Sequence, residues 1–287
     1  MIGTAILLAL GLLGAAFVHR WLAALRAGAS PRFPVPTAYE AFVGLLTDFF
    51  DTLGVGSFAT TTSLFRLRKV VPDRLIPGTL NVGHTIPTLA QAFIYVAIVR
   101  VDGATLALMI AASVAGAWLG AGIVATWPKR RIQLGLGVAL VAAASMLCAQ
   151  LFRVLPAGGD ALALRGARLA LAIGGNFVLG ACMTLGVGLY GPCMVLVSLL
   201  GMNPTAAFPI MMGSCAFLMP VASAQFVARG AYAPRAAMGL TVGGLPGVLV
   251  AAWIVRSLPL DAVRWLVVAV VLASAISLLR AAARADR

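Results

Sequence analysis

Two identical pentapeptides are the most informative residues in this chain. Thr52-Leu53-Gly54-Val55-Gly56 recurs letter for letter as Thr184-Leu185-Gly186-Val187-Gly188, 132 residues further on. A Gly-x-Gly of this kind interrupts a helix, since glycine takes backbone conformations that other residues avoid. The half-helix that begins after such a break aims free N–H groups and the positive end of its dipole into the space beyond it. The two starts fall near Ser57 and Leu189. Ser57, Thr60, Thr61 and Thr62 add hydroxyl donors, and no Asp or Glu lies in or just after either break, a pattern that suits an oxyanion better than a cation. The alternative is that the threonines only satisfy backbone groups freed by the break.

The ungapped offset pairs Thr61 with Cys193 and Gly83 with Cys215. The candidate binding set is therefore the backbone of Gly54, Val55, Gly56 and Ser57 and of Gly186, Val187, Gly188 and Leu189, flanked by Thr60, Thr61, Asn81, His84, Tyr190, Cys193, Ser214 and Cys215. His84 is an imidazole able to change charge near neutral pH, and Asp48 and Asp51 are carboxylates inside an apolar segment, where such groups tend to mark a proton path or a charge pair. The three are candidates for proton coupling. The alternatives are a packing role for His84 and, for the aspartates, pairing with a loop arginine such as Arg66 or Arg68 or a position near the membrane interface. Cys193 and Cys215 also allow a thiol–disulfide relay, although the four cysteines show no metal-type or disulfide spacing.

The elements that position these residues follow from composition. Of 287 residues 62% are hydrophobic and 10% charged, and mean hydropathy is +1.03. A soluble domain carries about 25% charged residues, so a soluble enzyme is excluded. Apolar runs of about 20 residues, the length that crosses a bilayer, recur along the chain. The net charge of +13 is spread over short loops, which argues for topology signals and against nucleic-acid binding.

The repeat extends beyond the pentapeptides. Leu64, Leu67, Pro72 and Pro77 match Leu196, Leu199, Pro204 and Pro209, giving nine identities in 26 positions. Gly116-x-x-x-Gly120 is matched by Gly243-x-x-x-Gly247, each a surface that lets membrane helices approach closely. An N-terminal transmembrane helix and linker (1–37) thus precede a first repeat (38–153) and a second (154–287). Each repeat reads as an interrupted segment (38–68; 168–201) followed by three spans (80–99, 104–126 and 132–152; 208–228, 234–255 and 262–280). If the interrupted segments are re-entrant, Lys and Arg divide 15 inside to 6 outside; if they cross, 12 to 9. The positive-inside rule favours re-entry. Three crossings per repeat then make the repeats inverted, with the N-terminus outside and the C-terminus in the cytoplasm of a cell-membrane protein. Trp21, Trp127 and Trp265 fall near span ends, as interface anchors do.

Inverted repeats with matching broken helices are the build of secondary transporters that bind substrate where the breaks meet. The repeated break, followed by Pro72-Asp73-Arg74 or Asn203-Pro204-Thr205 and by the helix starts Gly78-Thr79-Leu80-Asn81 and Gly213-Ser214-Cys215, resembles the TauE/SafE family of sulfite and organosulfur exporters. The resemblance covers nearly the whole chain after residue 36. It departs from the family's Gly-rich break followed by Pro-Leu, with Gly54-Val55-Gly56-Ser57-Phe58 in one half and Gly186-Val187-Gly188-Leu189-Tyr190-Gly191-Pro192 in the other. It implies an all-α membrane protein that moves a small sulfur-containing anion, most simply sulfite, by alternating access, without catalysis, cofactor or metal. Lipid and the anion are the expected partners, protons a further candidate. An anion channel and the thiol relay are the competing functions.

Overall fold

The computed structural model describes residues 2–27, 34–124, 129–152, 154, 159–183 and 189–284. Among these residues there are eleven α-helices and no strand: α1 (Ile2–Ala27), α2 (Ala38–Thr52), α3 (Phe58–Leu67), α4 (Ile76–Ile98), α5 (Gly103–Val124), α6 (Lys129–Leu151), α7 (Gly166–Met183), α8 (Tyr190–Leu199), α9 (Ala207–Ala228), α10 (Pro234–Ser257) and α11 (Leu260–Arg284). The first interrupted segment divides into α2 and α3; in the second, residues 184–188 between α7 and α8 lie outside the described residues. Five stretches are long and apolar enough to cross a membrane: α1, α7, Pro204–Ala228, α10 and Trp265–Ala283. With hydrogen bonds kept inside each helix, such segments suit a lipid solvent.

Local chemistry explains where the first break falls. Thr37 caps α2, accepting from the Glu40 N–H while the Glu40 carboxylate accepts from the Thr37 N–H. The helix ends at Gly54, whose φ of 99° places it in the region that costs other residues a Cβ clash. Gly54 N–H donates to Asp51 C=O at 2.8 Å and Val55 N–H to Phe50 C=O at 3.0 Å, the paired bonds of a Schellman stop. The same stop closes α3, with Lys69 N–H on Arg66 and Val70 N–H on Phe65, and closes α8, with Gly201 N–H on Ser198 and Met202 N–H on Val197. A single 3₁₀ turn follows each, Asp73–Leu75 and Pro204–Ala206, before a long helix. The two halves therefore share local structure as well as sequence.

The chain forms two compact units, Gly3–Val96 with Cys215–Arg256, and Ala97–Ser214 with Ser257–Arg287. In the first, α10 runs along α2 on a seam of glycines: a Cβ on Gly243 would fall on the Ala41 carbonyl, on Gly247 on that of Leu45, and on Gly244 on the Asp48 carboxylate. Its apolar core includes Val43, Phe65, Val71, Ile76, Leu80 and Leu240. A second cluster holds Phe17, Trp21, Val82 and Tyr232. Trp21 is thus packed inside, stacked on Phe17 at 5.8 Å, and is no interface anchor, because its face of α1 is covered by neighbouring helices. Trp265 is exposed as expected; Trp127 lies outside the described residues.

In the second unit α5 runs along α7 and α6 along α11. A Cβ on Gly116 would meet the Phe177 carbonyl, and one on Gly180 that of Ser113. Phe177 lies 132 residues after Leu45, and Gly247 lies 131 after Gly116. The two seams are therefore one packing solution used twice, with Gly116 equivalent to Gly247. The pairing of Gly116 with Gly243 suggested by the Gly-x-x-x-Gly pattern is displaced by one helical turn, since helices align by the surface they bury and not by the spacing of a short motif. In each seam a helix from one half of the sequence packs on a helix from the other.

Candidate functional site

The first break opens onto a buried polar chain. Thr61, on the second turn of α3, has its hydroxyl 3.1 Å from His84 Nε2. His84, on α4, places Nδ1 2.9 and 3.0 Å from the two carboxylate oxygens of Asp48 on α2. All three side chains are fully buried. A ring held at Nδ1 by a carboxylate keeps its proton there, so Nε2 faces Thr61 as an acceptor when the ring is neutral and as a donor when it is charged. Phe58 stacks over the ring at 5.9 Å and closes it from above.

A second acid sits one turn on. Asp51 accepts from Gln91 Nε2 at 2.9 Å. The same Gln91 nitrogen reaches Thr52 Oγ1 at 2.9 Å, while the Thr52 hydroxyl donates to Asp48 C=O at 2.6 Å. Tyr95 reaches toward the Thr52 carbonyl at 3.5 Å. Ser57 begins α3 without capping it. The two loop arginines named as alternatives are engaged elsewhere: Arg66 pairs with Asp73 at 2.9 Å and Arg68 lies over the Tyr39 ring. Asp48 is held by His84 instead, and Asp51 accepts from Gln91.

Of the remaining residues expected around the first break, Gly54 and Gly56 have φ of 99° and 89°. Val55 is half-buried, and Thr60 turns its hydroxyl back to Ser57 C=O at 2.8 Å. Asn81 does not join the cluster; its amide bonds to Pro77 C=O one turn earlier. In the second unit Gly186, Val187 and Gly188 lie outside the described residues. Leu189, Tyr190 and Cys193 are buried at the start of α8, where Cys193 N–H donates to Leu189 C=O at 2.9 Å, as Thr61 N–H does to Ser57 C=O. Ser214 is buried and donates to Ile210 C=O. Cys215 is buried and falls in the first unit, whereas Cys193 belongs to the second.

Two amides were missing from the sequence-based set. Gln91 joins the Asp51 cluster. Asn176, in the second unit, donates to Met109 C=O at 2.7 Å and approaches Ser214 Oγ at 3.5 Å. Both stand alone in apolar runs, and an amide at such a place is itself the signal, since lipid offers it no partner. By the 132-residue offset Asp48 corresponds to Gly180, Thr61 to Cys193 and His84 to Ala216. The ionisable chain is therefore built once, in the first unit. Among the described residues no group of three His, Cys, Asp or Glu is arranged to hold a metal.

Five apolar helical stretches of spanning length, with a buried ionisable chain beside the break between α2 and α3, fit a multi-pass membrane protein. The family model described as "Sulfite exporter TauE/SafE" matches residues 40–278, so the chain belongs to that family. Comparison with curated proteins gave no match, and comparison with solved structures gave none.

Proposed function

We propose that the protein is a secondary transporter that exports a small sulfur-containing oxyanion, sulfite first, across the cell membrane. Membership of the sulfite exporter family supports the anion class. The observation that carries the mechanism is the Thr61–His84–Asp48 chain, which runs from the start of a half-helix to a carboxylate buried at the α2–α10 seam. Buried ionisable groups within a membrane segment are expensive and mark a path for ions or protons. A hydroxyl at the break, an imidazole behind it and a carboxylate behind that make a route by which a proton leaves the anion's surroundings or reaches them.

In this reading the two interrupted segments are re-entrant, the repeats are inverted and the N-terminus lies outside. All three rest on the internal repeat and the distribution of Lys and Arg in the sequence. In the first unit the start of α3, at Gly56 and Ser57 with Thr60 and Thr61 beside it, faces the anion, and alternating access exposes it to either side in turn.

The test is flux in proteoliposomes, with sulfite on one side and sulfate and chloride as comparison anions, with and without a pH gradient. Saturable sulfite movement with counterflow is expected, reduced by Gly56→Leu, which stiffens the break. A throughput without saturation or counterflow would make it a channel. Absence of any sulfur-anion movement by folded protein would refute the substrate class.

A further inference from the structure

The two ends of α1 present different surfaces to the membrane. Near its N-terminus a groove is lined almost wholly by apolar residues, Leu7, Leu8, Gly11, Leu12 and Phe93, as suits lipid tails. Near its C-terminus a second groove, of about 500 Å³, runs between α1 and α9. Its floor is small and apolar, including Ala24, Ala27, Ala224 and Ala228, and two polar side chains line it, His19 and Arg20. Phe17 and Trp21 fasten α1 to Val227 and Tyr232, and the alanines beside that contact are too short to fill the space. Residues 2–18 carry no charge, and a helix of that length rises about 25 Å. His19 and Arg20 therefore come where hydrocarbon gives way to headgroups.

Helix dipoles do not account for Arg20. Arg26 occupies the last turn of α1 and Arg229 directly follows α9, where cations complement the terminal carbonyls. Arg20 stands seven residues before the end of α1, beyond the last turn to which that effect is confined. Carboxylates do not account for it either. The acids of this unit, Glu40, Asp48, Asp51 and Asp73, meet Arg235, His84, Gln91 and Arg66, and among the described residues Arg20 makes no ion pair.

We propose that this groove binds an anionic phospholipid, its phosphate on the Arg20 guanidinium with the His19 ring beside it, and its glycerol and upper acyl chain on the alanine floor. A guanidinium fork matches a phosphate with two parallel N–H···O bonds. No Asp or Glu lines the groove among the described residues, so the ammonium of a zwitterionic headgroup finds no partner and a lipid of net negative charge is preferred. Half of the site lies on α1, outside the residues matched by the family model. The proposal depends on the multi-pass membrane reading and not on which anion is carried.

The experiment is lipid retention by the full chain in dodecylmaltoside, read by native mass spectrometry with phosphatidylglycerol and phosphatidylcholine at equal concentration. Wild-type protein is expected to hold one phosphatidylglycerol about tenfold more tightly than phosphatidylcholine, the effect of one charge-assisted bidentate contact. Arg20→Gln is expected to bring the two lipids to within about twofold of each other. Ala23→Phe fills the groove and keeps the charge, and is expected to weaken phosphatidylglycerol about as much. Both positions are exposed, and a melting curve shows that each variant is folded; should one not be, the other carries the test. Arg256→Gln, which removes an exposed cation at the end of α10, is expected to match wild type. Wild-type retention in the folded Arg20→Gln or Ala23→Phe variant overturns the proposal. An equal loss in Arg256→Gln reduces the effect to net charge and overturns it too, as does displacement of the lipid by inorganic phosphate at equal concentration, which would make the groove a free-anion site.

Discussion

Asp48 and His84, on different helices and 36 residues apart, meet through a single ring nitrogen that lies 2.9 and 3.0 Å from both carboxylate oxygens. That contact fixes which face of the imidazole looks at Thr61. It also makes each residue dependent on the other, since both side chains are fully buried. Removing one member of such a buried pair costs about 3–5 kcal/mol, whereas an isosteric amide keeps an acceptor for Nδ1–H and costs about 1–2 kcal/mol. Asp48→Leu and His84→Leu are therefore expected to lower the detergent melting temperature by several degrees more than Asp48→Asn. All three are expected to reduce flux at least tenfold. Equal flux in Asp48→Asn and wild type would place the pair in packing alone.

Helix spacing at the two seams sets a second expectation. Gly243→Ala and Gly116→Ala each drive a Cβ onto a backbone carbonyl that cannot rotate away, and overpacking of this kind costs about 1–3 kcal/mol. Gly244→Ala meets the Asp48 carboxylate instead, so it is expected to disturb the His84 contact and to reduce flux beyond its effect on stability. Gly174 has open space around it, and Gly174→Ala is expected to be neutral or slightly stabilising. Melting of the four variants side by side checks the order.

The end of α3 carries a non-glycine residue in the left-handed region, Lys69 with φ of 50°, where the second half has Gly201 with φ of 85°. Lys69→Gly is expected to stabilise by about 1 kcal/mol, and Gly201→Ala to destabilise by about as much. Thermal unfolding of the two single variants would show shifts of opposite sign.

Asp102 lies outside the helices, at the cap of α5, where its carboxylate accepts from the Thr105 N–H at 2.9 Å and the Thr105 hydroxyl at 3.0 Å. The Thr105 N–H, more than any other group, holds its carboxyl below the ordinary aspartate value, against a smaller opposing effect of burial; the Thr105 hydroxyl and Arg165 add to the lowering. A group with a depressed value stabilises the fold above its unfolded value of about 3.9 and loses that stabilisation as pH falls through the folded value. Asp102→Ala is expected to cost about 1 kcal/mol near neutral pH and nothing at the acid end. Melting curves that converge on acidification confirm the cap; a constant gap between them would refute it.

Much of the architecture was legible in the sequence because it depends on neighbours a few residues apart. Apolar runs placed α4, α5, α6, α9, α10 and α11, and the glycines at 54 and 56 placed the first break, since a positive φ is a local demand of the backbone. Asp48, Asp51, His84, Ser57 and Thr61 stood out as polar groups in apolar segments. Gln91 did not, because a neutral amide raises no charge signal. Trp21 was misplaced, because an aromatic at a span end looks the same whether lipid or another helix covers it.

What the chain could not declare is who meets whom. His84 and Gln91, which meet Asp48 and Asp51, both come from α4, and nothing in a period of 3.6 residues distinguishes His84 from Arg66 as the counterpart of a buried acid. The register of the glycine seams was also decided by tertiary packing, which set Gly116 against Phe177 and Gly247 against Leu45. Sequence by itself determined which segments are helical, where they break and that the pattern occurs twice, for these follow from backbone conformation and transfer to lipid. Only the tertiary structure decided that the acids of the first half are held by an imidazole and a glutamine, because that choice is made by contact between surfaces far apart in the chain.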